Sequence, residues 1–274
     1  MVTVWSKTHM LLDTSEQNVT GSSSIIGFTG EGGGGLKVFD RYLTVEGNKA
    51  FHIGNICGTC SFFFERLYGA NQSVDVEAVV DHLNTGITKL GPPVIPALAL
   101  IVPDGKYKVL LQEIHPYLVK PGESADYFVD EQVALWGVDG FWGLPHSPKT
   151  EYYRLRTQTL TNRRGLFEFL VPMFPHNWLD QKRLAEYEVS YCKNVMPTAV
   201  SISVLDIKEP ATWDKPKDIT SHWCLAHYLI DGHHKVYAAV QENKPLTLVS
   251  FLAVEEGVSS EEEINELVAV LNDG

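Results

Sequence analysis

The residues best suited to chemistry lie in one stretch, Leu229-Ile230-Asp231-Gly232-His233-His234-Lys235-Val236-Tyr237-Ala238-Ala239. Upstream, Trp223 to Ile230 is apolar almost without a break apart from His227, as in a strand covered on both faces. Downstream, Val236, Ala239 and Val240 recur at the spacing of one helix face until Asn243-Lys244-Pro245 stops them, and a second apolar run covers Leu246 to Val254. The pattern is strand, tight turn, short helix, strand. A helix start leaves N–H groups unpaired and carries partial positive charge, and Gly232 lets the backbone approach a guest closely. With His233, His234 and Lys235 as side-chain donors, the natural guest is a phosphate or a carboxylate. The plainer alternative is a turn in which Asp231 caps the helix and the histidines are solvated.

A second constellation is His52-Ile53-Gly54-Asn55-Ile56-Cys57-Gly58-Thr59-Cys60, followed by Ser61-Phe62-Phe63-Phe64. Two thiols at this spacing, read as the start of a helix, can grip one Zn²⁺, with His52 as a third ligand. The same spacing suits a redox pair, since a helix N-terminus lowers a thiol pKa, and it equally suits two half-buried structural thiols beside the phenylalanines. Three further clusters carry weaker signals. Gly30-Glu31-Gly32-Gly33-Gly34-Gly35 has no following Lys-Ser or Lys-Thr, so it reads as a mobile surface loop able to act as a lid. Asp126, Asp130 and Glu131 are either surface charge or carboxylates for Mg²⁺ or acid–base work, just before the aromatic and glycine-rich segment Trp136 to Pro145. Lys149, Arg154, Arg156, Arg163 and Arg164 read as a solvated basic face.

The elements that must position these residues alternate between strand and helix. Strands are expected over Ser24 to Thr29, Leu36 to Val45, and Val94 to Pro103 with Lys106 to His115 about a Pro103-Asp104-Gly105 turn. Val76, Val79, Val80, Leu83 and Ile87 mark an amphipathic helix ended by Gly91-Pro92-Pro93. A new unit begins near Gly165: strand Leu166 to Phe174, helix Leu179 to Tyr191, strand Thr198 to Ile207, then the motif, and finally helix Ser259 to Leu271 with Ser260 and Glu263 spaced as a capping box. The expected fold is α+β, a mixed sheet with short helices, divided into residues 1–164 with the Cys-x-x-Cys element and residues 165–274.

Composition narrows the function classes. At 274 residues the chain can bury a core without covalent staples, and four cysteines argue against a disulfide scaffold. No signal-peptide-like run opens it and nowhere do eighteen apolar residues follow one another, so a cytoplasmic protein with no membrane partner is expected. A net charge of −12 gives no footprint for gripping nucleic acid. Pairing with a second copy of the chain, as a homodimer, is compatible with all of this.

From Gly165 to Val254 the order of elements, with Ile230-Asp231-Gly232-His233-His234-Lys235 and Ala238-Ala239, resembles the ParB/sulfiredoxin superfamily. The resemblance implies a loop that binds nucleotide phosphates: ParB proteins bind CTP, sulfiredoxins use ATP, and free serine kinases phosphorylate serine. The implied cofactor is ATP, ADP or CTP with Mg²⁺, and the implied activity is phosphoryl transfer to a small molecule or nucleotide hydrolysis. Gly232 and the N–H groups after it would hold phosphate, His234 and Lys235 would neutralise it, and His233 or Asp231 would be acid or base. Glu168 stands where related kinases place a catalytic glutamate. Departures are informative. His233 occupies the place of the sulfiredoxin cysteine, which argues against sulfinic acid reduction, and Lys235 replaces the arginine of many relatives. One helix, Ser259 to Leu271, stands where ParB proteins add a helix-turn-helix domain, which with the acidic charge argues against chromosome partitioning. The alternative is a non-catalytic binding protein with a structural zinc at Cys57 and Cys60.

Overall fold

The computed structural model describes residues 9–33, 35–74, 76–138, 146–211 and 218–273, and shows an α+β fold. Its main sheet is made of β1 (Met10–Val19), β6 (Gly105–Ile114), β7 (Tyr117–Val119), β8 (Tyr152–Thr159), β9 (Arg164–Val171), β10 (Thr198–Lys208), β11 (Ser221–Asp231) and β12 (Leu246–Ala253). The strand order is β1-β6-β12-β10-β11-β9-β8-β7, antiparallel except where β10 runs beside β12 and β11 beside β9. A smaller antiparallel sheet holds β2 (Ile26–Gly33), β3 (Leu36–Val45), β4 (Asn48–Asn55) and β5 (Glu65–Arg66). The helices are α1 (Val80–Thr85), α2 (Val94–Ala99), α3 (Glu131–Trp136), α4 (Gln181–Cys192), α5 (His233–Glu242) and α6 (Glu261–Asn272). None is long and apolar enough to cross a membrane.

The near-continuous apolar runs are explained by burial of both faces of the main sheet. Cys224, Ala226, Tyr228 and Ile230 of β11 point into a core shared with Leu43, Phe51 and Ile53 of the small sheet. The other face is covered by helices in two patches. Leu229, Ala199 and Leu248 pack with Val236 and Ala239 of α5, while Leu225, Leu205 and Leu252 pack with Ile264 and Leu267 of α6. Between the two patches runs a buried polar row, described below.

Several expectations change. The division at 164/165 falls inside β9, after its first residue, and β9 lies between β8 and β11 in one sheet built of strands from both sides of that boundary. Val94 to Ala99 is helical rather than extended: a short apolar run has the same signature in a buried helix, and Pro96 sits in the first turn, where its missing N–H costs nothing. The glycine run is largely the β2–β3 hairpin rather than a free loop. An added Cβ at Gly32 would stand 2.6 Å from the Leu36 carbonyl oxygen, so glycine is what allows the strands this close. No helix follows Cys60; residues 61–64 are in neither helix nor strand and lead into β5. Much of the segment Trp136 to Pro145, residues 139–145, lies outside the described residues. The strand β1 carries no clear alternation in its sequence and is an edge strand, ordered by pairing with β6.

Candidate functional site

Strands β9 and β11 end, and β10 and β12 begin, at one edge of the main sheet, and there Gly232 reverses the chain from β11 into α5. Gly232 has φ +103°, and a Cβ there would lie 2.7 Å from Ala199 Cβ. No other residue type fits without displacing β10. Helix α5 has no side-chain cap, so its first N–H groups are left to the solvent side or to a guest. They open into a cleft of about 620 Å³ bordered by Ile230 to Lys235, by Arg183, Glu186 and Tyr187 of α4, by Phe174, and by Ser73, Val74, Val76, Glu77, Val80 and Asn84. The cleft therefore brings together Asp231, Gly232, His233, His234 and Lys235, all five expected from the motif.

Their side chains are committed in ways the sequence did not reveal. Lys235 is buried, and its ammonium donates to Asp231 Oδ2 at 2.8 Å and to the Thr198 carbonyl at 3.1 Å. Burial lowers its pKa and Asp231 opposes that shift. His233 is buried and its Nε2 accepts the Met173 N–H at 3.0 Å, while burial, reinforced by His234, His176 and Arg66, brings its pKa down to about 3. It is a neutral acceptor with the proton on Nδ1. His234 Nε2 likewise accepts the Asp180 N–H at 2.9 Å, and its pKa is lowered by burial and then by Arg183. The Met173 carbonyl in turn accepts from Arg66 Nε at 2.6 Å. The two histidines thus pin the chain between β9 and α4, which carries Phe174 into the cleft wall.

Glu168 is elsewhere. It sits in mid-strand opposite Leu225, six residues before Asp231 on β11, which puts it about 20 Å from the turn at the rise of an extended strand. Fully buried, it accepts from Gln112 Nε2 at 2.8 Å and pairs with His227 Nε2 at 3.0 Å, and Arg156 Nε lies 3.7 Å from its other oxygen. His227 Nδ1 meets Ser203 Oγ at 2.7 Å and Ser250 Oγ at 3.0 Å. These side chains, with Ser201, form the polar row between the two helical patches. Desolvation pushes the Glu168 carboxyl up, but the His227 hydrogen bond and the charges of His227, Arg156 and His9 outweigh it and hold it at about 2.

The expected metal ligands take other partners. Cys57 and Cys60 are joined in a disulfide. His52 Nε2 lies 3.2 Å from Asp40 Oδ1, with the ring stacked on Tyr42 and edge-on to Phe63, so its contacts are to the small sheet rather than to the sulfurs. Among the described residues no group of three or more His, Cys, Asp or Glu is gathered as a metal cage. Two of the carboxylates of 126–131 are structural: Asp126 is buried and accepts from the Tyr152 hydroxyl at 2.8 Å, and Glu131 makes a two-pronged pair with Arg154, while Asp130 is exposed. The basic cluster disperses, with Arg154 and Arg156 buried, Lys149 paired to Glu65 and Arg164 to Glu266.

Sequence reasoning missed the opposite wall of the cleft. Arg183, Glu186 and Tyr187 share one side of α4 by their spacing, and this was readable once the helix was placed. Val74, Val76, Val80 and Asn84 come from a distant part of the chain, where Val76 and Val80 read only as part of a helix face with nothing to connect them to the turn. Compared with protein-family models, curated proteins and solved structures, the chain matches none of them.

Proposed function

We propose that this cleft binds a nucleoside phosphate, ATP, ADP or CTP carried with Mg²⁺, and that the protein is a phosphotransferase or nucleotide hydrolase of the ParB/sulfiredoxin type. The observation that supports this most directly is the uncapped start of α5 behind Gly232, opening into a cleft that also holds the exposed guanidinium-bearing Arg183. Backbone N–H groups and an arginine fork are the donors that phosphate oxygens favour. Val74, Val76, Val80 and Phe174 supply an apolar wall for a base. Asp231 borders the cleft and is held there by the Lys235 ammonium at 2.8 Å, so it is the carboxylate placed to accept a proton from an attacking hydroxyl. His233, neutral and holding the Met173 N–H through Nε2, positions the loop instead.

A second reading, binding without turnover, is favoured by one observation: Asp231, His233, His234 and Lys235 each already hold a protein partner. Isothermal titration with ATP, ADP and CTP in the presence of Mg²⁺ tests both. Saturable heat is expected, with the dissociation constant raised about 10- to 100-fold in Arg183→Ala, the worth of a hydrogen bond between charged groups. No heat with any of the three nucleotides sinks the proposal. Heat without phosphate release or transfer over hours selects the second reading.

A further inference from the structure

The turn Cys57-Gly58-Thr59-Cys60 is half-exposed and lies apart from the cleft, yet it is held with unusual completeness. Its three successive carbonyls accept from three separate groups: Cys57 O from Lys208 Nζ at 2.8 Å, Gly58 O from the Glu209 N–H at 2.8 Å, and Thr59 O from Trp136 Nε1 at 3.2 Å. The Cys57 N–H donates to Asn55 Oδ1 at 3.1 Å. None of these bonds depends on the disulfide, so the backbone keeps both sulfurs adjacent when the bond between them is broken. Re-oxidation is then intramolecular and fast relative to capture of an outside thiol. The Thr59 hydroxyl lies 3.4 Å from Cys57 Sγ, within range to donate to a thiolate there, and the Lys208 ammonium rests on the carbonyl of the same residue.

We propose that Cys57 and Cys60 form a reversible thiol–disulfide exchange site that accepts two electrons from a dithiol reductant. The reductant's thiolate attacks Cys60 Sγ, the Cys57–Cys60 bond breaks, and Cys57 leaves as the thiolate stabilised by Thr59, then takes up a proton. The reductant's second thiol, as its thiolate, attacks the mixed disulfide at its own sulfur and releases Cys60, which is protonated in turn. The protein gains two electrons and two protons, and the reductant becomes its own disulfide. The remaining cysteines serve as internal controls: Cys192 is exposed, whereas Cys224 is buried and its thiol is pushed up by desolvation.

The test uses the full native chain in graded mixtures of reduced and oxidised dithiothreitol, quenched with N-ethylmaleimide and read by peptide mass spectrometry. Cys57 and Cys60 are expected to become labelled together in one two-electron transition, with the circular dichroism of the folded protein unchanged, Cys192 labelled throughout and Cys224 unlabelled. In Thr59→Val, an exposed site whose change spares the fold, reduction is expected to slow about tenfold, the loss of one hydrogen bond to a charged group. Reduction seen only in denaturant overturns the proposal. So does a pair that stays as two thiols in fully oxidised buffer, or one that holds zinc near one per chain and resists oxidation. A Thr59→Val rate equal to the parent overturns Cys57 as the leaving sulfur.

Discussion

Glu168 offers a sharp test of how the main sheet is held together. Replacing it with alanine removes the acceptor of Gln112 and His227 and the counter-charge of Arg156, all of them buried. Breaking a buried ionic cluster by deleting one member costs about 3–5 kcal/mol, because the remaining charge is left without compensation. The titration leads to a similar size. A carboxyl moved from its ordinary 4.5 to about 2 contributes about 3.5 kcal/mol, at about 1.4 kcal/mol for each tenfold change in proton affinity. Its folded pKa is the lower one, so this stability is present above pH 4.5 and is lost as pH falls from there towards 2.

Urea unfolding of Glu168→Ala at neutral pH is therefore expected to show that loss with an unchanged slope, and a melting temperature lower by about 10 °C. The double variant Glu168→Leu with Arg156→Met is expected to recover part of it, since an apolar pair does not carry the desolvation cost. Nucleotide heat measured below the melting transition is expected to be the same as in the parent, the cleft being about 20 Å away by strand rise. A loss under about 1 kcal/mol refutes the structural account. Lost binding at unchanged stability refutes it too, and returns Glu168 to the catalytic role implied by the resemblance.

Three further outcomes are expected. Gly232→Ala should destabilise by about 2–4 kcal/mol, from left-handed backbone strain plus the 2.7 Å approach to Ala199 Cβ, and Ala199→Gly in the same chain should restore at least about 1 kcal/mol; equal stability of Gly232→Ala and parent in urea counts against the close-approach reading. His233 has its folded pKa lowered from 6.5 to about 3, so its contribution is complete above pH 6.5 and falls by about 1.4 kcal/mol per pH unit below it. His233→Gln, whose amide oxygen can still accept the Met173 N–H, should have a urea-stability profile between pH 7.5 and 4.5 that is flatter by about that slope; parallel profiles would show that His233 is not a buried neutral acceptor. If Arg66→Met frees the Met173 carbonyl, the loop between β9 and α4 should exchange its amide hydrogens about tenfold faster, with global stability changed by under about 1 kcal/mol.

The fold was legible where period and burial agree. The strands β10, β11 and β12 and the helices α4, α5 and α6 follow from apolar runs, face spacing and the Ser260–Glu263 capping box, which is present in the structure. The failures share one physical cause: a local pattern says what an element can be, and its partner decides what it becomes. Val94 to Ala99 is a short apolar run that suits either a strand or a helix, and burial of Val94, Ile95 and Leu98 on one side makes it a helix. The glycine run looks mobile in isolation, and pairing with β3 makes it a strand. Phe62, Phe63 and Phe64 looked like the first turn of a helix after Cys60, but Phe62 stacks on Phe128 while Phe63 and Phe64 meet His52 and Phe169 edge-on.

At the candidate site the position was legible and the roles were not. A motif reports residue types along the chain, whereas a role depends on which group already occupies each polar atom. His227 stood out in the sequence as the polar break in an apolar strand, and its meaning appears only once the serines of β10 and Glu168 and Gln112 of β9 and β6 come to the same level. In the Asp231–Lys235 turn the reverse happens: the residues that advertise catalysis are used to hold the Met173 and Asp180 N–H groups and to neutralise one another. What is left to meet a guest is the uncapped backbone of α5, made approachable by Gly232, and the Arg183 side chain from a helix fifty residues earlier. Removing Arg183 should therefore weaken nucleotide binding with little loss of stability. Removing His233 or Lys235 should act first on the fold, and comparison of binding with unfolding in these variants separates the groups that recognise phosphate from those that shape the cleft.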